Sequence, residues 1–325
     1  MIAVGLEAGP LSQWLHKHLT EAGFEIVLME TRQVKGALKA MPIKTDRRDA
    51  FGIARLVQMG WFRPVHCKSV SAQEMRAVLT ARKSIQQACL NLELSVRGVL
   101  RNFGLKMGKV AKGRFEARVR ELTAGNPMLE AAADPILRAR AVLRSELAGL
   151  EKLTRDHAGS DPVCRLMMTM PGVGAVVALT VKSAIDDPGR FRSSKDVGPW
   201  VGLTPRREQS GERDIIGQIT RAGDVALRTA LYRAATVMLN RGRSNWLSTW
   251  ALRAAITLPK QTSYSTAIFN MPVAKQLFPA FRKSTIEWIR LSICPQTSAL
   301  RRYLPMCAKQ YTGRAWLFGR KTPFQ

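Results

Sequence analysis

Acidic side chains are scarce in this chain. There are 24 Asp and Glu against 51 Lys and Arg, a formal net charge of +27 and a pI near 10.9. Such an imbalance disfavours cationic partners and favours a polyanion, because each phosphate neutralised by Lys or Arg releases a condensed counterion. Nucleic acid is the first expectation, although an anionic lipid surface obeys the same logic. Long apolar runs are also missing: nowhere do about 18 apolar residues follow one another, and the N-terminus lacks a signal-peptide layout. No membrane association and a cytoplasmic location are therefore expected. Cysteines number only five (Cys67, Cys89, Cys164, Cys294 and Cys307). No CxxC spacing suggests zinc and the odd count argues against a disulfide framework, so they read as reduced thiols, mostly in the core. What the chain does have is apolar substance: 46% of its 325 residues are hydrophobic, enough for two or three packed domains.

The pattern divides the chain at about 1–66, 67–160, 161–254 and 255–325. The first stretch alternates an apolar run (Ile2 to Leu6), a helical pattern (Leu11, Trp14, Leu15, Leu19), a second run (Phe24 to Met29) and a basic helical piece. That order predicts strand, helix, strand, helix, with a parallel βαβ crossover and Gly23 as a C-cap. From Met75 to Phe103, Val78, Ile85, Cys89, Leu92, Val96, Val99 and Phe103 fall at 4/3 spacing with Arg82 as one miss, a coiled-coil seam. A second helix is predicted from Pro135 to about His157, with Ile136, Leu143, Leu147, Leu150 and Leu153 on one side. Two such helices imply an antiparallel hairpin or a dimerisation arm. The unit at 161–254 reads as compact and mostly helical with Gly-rich loops. The last stretch, 254–325, holds five Lys, six Arg and a single acid, Glu287, with no sustained period, and no ordered domain is predicted there.

Within this basic chain, "PIKTDRRDA" keeps Asp46 and Asp49 three residues apart beside Lys44, Arg47 and Arg48. Thr45 or Asp46 suits the N-cap of a helix over about Asp46 to Met59, and the two acids then share one face of its first turn. They can cap the helix and complement its dipole, or they can hold Mg²⁺, a hard ion that prefers oxygen ligands. Glu7 lies just past the first strand, where open α/β sheets place their sites, and completes a three-carboxylate set of the kind expected in ribonuclease-H-like nucleases. "MPGVGAVVALTV" has the form of a helix-hairpin-helix turn, in which backbone N–H groups at Gly172 and Gly174 can face a phosphate, with Lys182 following. In "TPRREQSGERDIIGQITRAGDVALR", Ser210 precedes Gly211 among Arg206, Arg207, Arg213 and Arg221. A serine can attack a phosphodiester where cations stabilise the developing oxyanions, but a polar turn with solvated arginines has the same pattern.

In order and spacing, "LEAGP", "GFEIVLMETRQVKGAL", "KTDRRDAFGIARLVQMGWFRPV", the seam, "MPGVGAVVALTV", "WVGLTPRREQSGERDIIGQITRAGDVALR" and "LNRGRSNWLSTWALRAA" resemble the insertion-sequence one-ten transposases, the bridge-RNA-guided DEDD/serine recombinases. The resemblance runs from about Ile2 to Ala254. It implies α/β plus all-α architecture: a RuvC-like N-terminal domain with an acidic tetrad, long antiparallel coiled-coil helices for dimerisation, and a mostly helical transposase domain with a nucleophilic serine. Glu7 matches the tetrad glutamate, Asp46 and Asp49 its last two aspartates, and Ser210 the nucleophile. Implied partners are DNA, a guide (bridge) RNA and further copies in a homodimer or homotetramer. The implied cofactor is Mg²⁺ at Glu7, Asp46 and Asp49, and the implied location is the bacterial nucleoid. The resemblance also carries two departures. In the family the first tetrad aspartate lies on an upstream strand, whereas six residues precede Glu7 in this chain; that strand is expected to be absent and activity impaired. After "WALRAA" the family continues with a basic Ala/Leu-rich helix, whereas "ITLPKQTSYSTAIFNMPVAKQLFPAF" suggests a frameshift product. Alternatives from other classes are a non-catalytic nucleic-acid-binding remnant and a RuvC-like junction nuclease.

Overall fold

A computed structural model describes residues 3–39, 41 and 43–241. The predicted βαβ start is present. β1 (Ala3–Glu7) and β2 (Glu25–Met29) pair in parallel with Gly5 opposite Val27. The crossover helix α1 (Ser12–Glu21) ends before Gly23, whose φ of +87° is a conformation that glycine adopts without a Cβ penalty. α2 (Thr31–Leu38) and α3 (Asp46–Gln58) follow. α3 lies directly on β1 because Gly5 has no side chain: a Cβ there would stand 2.7 Å from a Val57 methyl and 2.8 Å from one of Ile53. Met29, Val34 and Leu56 form the small core under this layer. The chain then returns antiparallel to β2, bridging Pro64 to Met29 and donating from the Val65 N–H to the Leu28 carbonyl.

Two long helices, α4 (Val70–Asn102) and α6 (Pro127–Ser160), run antiparallel. Arg82 meets Glu151 and Glu93 meets Arg140, so numbers rise on one helix as they fall on the other. Of the predicted seam positions Cys89 and Val96 are buried and Val78, Ile85 and Leu92 partly so, but Val99 and Phe103 are exposed and Leu100 is buried instead. A straight helix drifts away from a strict 3.5-residue seam; the inward position after Val96 is therefore Leu100, which packs with Phe115 and Val119. These belong to α5 (Phe115–Thr123), a short helix closing the far end of the pair. α6 also starts earlier than predicted. Pro127 occupies its first turn and the Asn126 side chain accepts from the Leu129 N–H, leaving Pro135 inside the helix. A proline followed by helical periodicity marks a start only when no better cap precedes it.

α7 (Pro162–Met168), α8 (Ala175–Ile185), α9 (Val197–Val201) and α10 (Val225–Arg241) form the third unit. α8, "AVVALTVKSAI", is apolar on almost every face and becomes its central helix, surrounded by residues of α7 and α10, Ala158 of α6, and Met75 and Leu79 of α4. The helical arm is thus rooted in this core. The unit is not wholly helical, however: β3 (Pro205–Ser210) and β4 (Arg213–Ile219) form an antiparallel hairpin that the periodicity reading passed over.

The α/β unit is fastened to this core through residues 66–69. The Lys68 ammonium donates to the Ala184 carbonyl at 2.6 Å, and Ser69 donates from both its N–H and its hydroxyl to Asp186. His66 Nε2 stands 2.8 Å from the same carboxylate. Cys89 and Cys164 are buried free thiols, as expected; burial pushes Cys164 up to about 12. Among the described residues no helix is long and apolar enough to cross a membrane. Cys294, Cys307 and the predicted change of character after Ala254 lie outside the described residues.

Candidate active site and nucleic-acid interface

The structure resolves the choice of cap for α3. Thr45, in extended conformation, accepts from the Arg48 N–H through its side chain, so it and not Asp46 is the N-cap. Asp46 and Asp49 occupy the first turn, exposed and partly buried respectively, and neither side chain makes a hydrogen bond or ion pair within the described residues. They complement the helix dipole, but they are not needed for capping. Glu7 ends β1, likewise exposed. Oxygen donors suit Mg²⁺, yet among the described residues no three His, Cys, Asp or Glu groups stand close enough to hold a metal ion. Touching elements therefore carry the three acids without gathering them into a chelating site.

The glycine turn packs against α10 at one of its two glycines. Gly172 has φ +83°, and a Cβ there would lie 2.3 Å from the Ala234 carbonyl oxygen of α10. The side on which a Cβ would stand is thus filled by the α10 backbone. Gly174, the residue before α8, is exposed with open space around its Cα. Lys182 is engaged as well: it pairs with Asp161, the N-cap of α7. Burial opposes ionisation of Asp161, but the Lys182 ammonium and the Cys164 N–H hold its carboxyl below the usual range.

Ser210 is the last residue of β3, directly opposite Arg213, with Gly211 and Glu212 forming a two-residue turn. Gly211 takes φ +57°, as such turns require. Every residue of β3 is exposed, and the strands pair chiefly with each other. Within the described residues the Ser210 hydroxyl has no hydrogen-bond partner. The hairpin base, in contrast, is tightly fixed. A Cβ on Gly202 would stand 2.1 Å from the Ala222 carbonyl oxygen, and one on Gly223 would stand 2.2 Å from that of Trp200. Both glycines have positive φ, so two backbones interlock where side chains could not fit. Arg228 donates to the carbonyls of Val201, Ala222 and Gly223. Asp224 caps α10 through the Ala226 and Leu227 N–H groups and pairs with Arg76 of α4 at 2.5 Å. Arg221 is held at φ +52° and its carbonyl accepts from Arg32 of α2. Sequence reasoning missed Asp224, Arg228 and the hairpin itself. The one signal for the hairpin was the Gly-containing two-residue turn before "RDIIGQI", since "RREQS" has no apolar alternation.

Comparison with known proteins decides what carries this arrangement. The transposase model for DEDD proteins of IS110 elements matches residues 2–104, and the model described as "Transposase IS116/IS110/IS902 family" matches residues 164–251. The chain belongs to the IS110 family of insertion-sequence transposases. It is 28% identical over 257 residues to the transposase for insertion sequence element IS1111A of Coxiella burnetii, covering 76% of this chain and 69% of that one. It is 23% identical over 239 residues to the transposase for element IS1328 of Yersinia enterocolitica, covering 73% and 71%. The first family match spans the α/β unit and α4, so it includes Glu7, Asp46 and Asp49. The second spans the helical unit with its hairpin, so it includes Ser210. Membership of a transposase family implies DNA binding, which accords with the excess of cations.

Proposed function

We propose that this transposase cuts and rejoins DNA with Ser210 as nucleophile, directed by a guide RNA and acting as a homodimer or homotetramer. One observation carries the reading: Ser210 stands free at the tip of an exposed hairpin whose base is locked by interlocked glycines, with Arg213 across the strand pair. A tip clear of its own domain can reach into a bound duplex, while the fixed base holds its aim. In the reaction, the Ser210 oxygen bonds to phosphorus as the bond to one deoxyribose oxygen breaks. That oxygen leaves with the electron pair and is protonated, and the hydroxyl proton passes to a group outside the hairpin. Reversal by an oxygen of the new partner strand restores the serine and joins the ends.

The finer architecture belongs to the same proposal: a RuvC-like α/β unit carrying Glu7, Asp46 and Asp49, and the α4–α6 pair as a coiled-coil assembly arm. Mg²⁺ is the ion whose chemistry suits those acids. Since no three of them gather in this structure, no step is routed through it. The ungathered acids weigh against a junction nuclease acting through carboxylates alone, and they favour a non-catalytic DNA- or RNA-binding protein as the second reading. A reconstituted excision assay with element DNA and element-derived RNA separates them. The wild type is expected to give a covalent protein–DNA adduct and joined products. Ser210→Ala should give neither, with nucleic-acid affinity nearly unchanged, because one hydroxyl contributes little to counterion-driven binding. A wild type that binds without cutting favours the second reading, and an adduct in the variant removes Ser210 from the chemistry.

A further inference from the structure

The three arginines around the serine are not equivalent. The β3–β4 register pairs Ser210 with Arg213, Gln209 with Asp214 and Glu208 with Ile215. Side chains alternate between faces, and directly opposite residues share one. One face therefore carries Arg206, Glu208, Ser210 and Arg213, and the other carries Arg207, Gln209 and Asp214. On that second face Arg207 donates from Nε and Nη2 to the two oxygens of Asp214 at 2.8 and 2.6 Å. The pair holds the Arg207 guanidinium above its ordinary value and the Asp214 carboxyl below its own. Arg207 is thus neutralised and turned away from the serine. The side chains of Arg206 and Arg213 make no hydrogen bond or ion pair within the described residues, and both residues are exposed.

We infer that Arg213 is the group that meets the scissile phosphate beside Ser210, that Arg206 holds a neighbouring phosphate about 13 Å along the same face, and that Arg207 with Asp214 only braces the hairpin. This rests on the proposed role of Ser210. A guanidinium suits the task because it offers paired donors to the non-bridging oxygens as charge develops there. Arg213 forms and breaks no covalent bond: the exchange remains phosphodiester for phosphoserine ester plus a hydroxyl. Glu208 shares the face, and its charge opposes the phosphate.

The salt dependence of DNA affinity tests the assignment without requiring activity. Each lost phosphate contact should reduce the slope of log K against log salt by about 0.9. Arg213→Ala and Arg206→Ala are each expected to lose that amount, Arg207→Ala to lose none, and Glu208→Gln to bind more tightly. An unchanged slope in Arg213→Ala, or a reduced one in Arg207→Ala, overturns the assignment. The chemical arm uses DNA with a neutral methylphosphonate at the scissile position. Arg213→Ala should form adduct about a hundredfold more slowly than wild type on the natural phosphate, and this deficit should shrink at least tenfold on the methylphosphonate. The Arg207→Ala deficit should be equal on both. An Arg213→Ala deficit equal on both substrates, with Ser210→Ala inert, overturns the Arg213 role and leaves the nucleophile intact. Adduct from Ser210→Ala, or none from the wild type, overturns the nucleophile instead, while the salt slopes still report on the arginines.

Discussion

Gly202→Ala and Gly211→Ala form a matched pair that measures how firmly the hairpin base is held. Both positions have positive φ, +78° and +57°, so each alanine bears the left-handed penalty of about 1–2 kcal/mol. Their surroundings differ. A Cβ on Gly211 meets nothing within 4 Å, whereas one on Gly202 would lie 2.1 Å from the carbonyl oxygen of Ala222 and 2.3 Å from its nitrogen. Neither atom belongs to a flexible side chain, so the backbone itself must move by about an ångström. That shift disturbs the hydrogen bond from the Arg221 N–H to the Gly202 carbonyl at 3.1 Å and the one from the Thr220 N–H to the Thr204 carbonyl at 2.9 Å. At about 1 kcal/mol each, with the backbone penalty added, Gly202→Ala should cost about 3–4 kcal/mol against about 1–2 for Gly211→Ala. Chemical denaturation of the two variants beside the wild type, followed by circular dichroism, reads both values. Equal losses would refute the interlock, and so would a Gly202→Ala variant within 1 kcal/mol of wild type.

Other outcomes follow from the same geometry. Thr45→Ala should lower stability by about 1 kcal/mol through loss of the α3 cap, while Asp49→Asn should cost less; a larger loss in Asp49→Asn by thermal melting would return that acid to a capping role. Burial, with the charges of Arg76 and Arg190, pushes the Lys68 ammonium down to about 8 from 10.5. Between those values the unfolded chain holds the extra proton, so this group makes stability rise with pH, by at most about 3 kcal/mol. The stability of wild type relative to Lys68→Met should therefore grow from pH 8 to pH 10; parallel profiles would contradict the assignment. Arg140, with a side chain 5% exposed, pairs with Glu93 at 2.7 Å and covers the Phe115 ring. Glu93→Ala should cost about 3 kcal/mol, and Glu93→Leu with Arg140→Met should recover most of it; a double variant no more stable than Glu93→Ala would show that the charge itself is not the cause.

Much of the architecture was legible in the residue pattern. Apolar runs of strand length around a helical period predicted β1, α1 and β2 in order, and the 4/3 spacing predicted α4 as far as Val96. The reading failed where a neighbour overrode a local pattern. At the end of the seam α5 packs against Leu100, the position that helix drift turns inward, and Asn126 caps α6 before Pro135 can begin it. It failed also at the hairpin, where five polar residues carry no hydrophobic alternation to reveal a strand exposed on both faces. For the site, the residue types at Glu7, Asp46, Asp49 and Ser210 stood out, but their geometry did not.

The sequence by itself determined the polyanionic partner, because net charge needs no fold, and the order of the amphipathic segments, because periodicity is local. Only the tertiary structure decided what each polar group is free to do. Thr45 takes the cap and releases the two aspartates, Asp161 engages Lys182, and Asp214 engages Arg207. Gly172 is filled by α10, and Arg213 shares a face with Ser210. A side chain's type fixes the chemistry it can perform, but its availability depends on which neighbour meets it first, and that is a matter of packing and strand register.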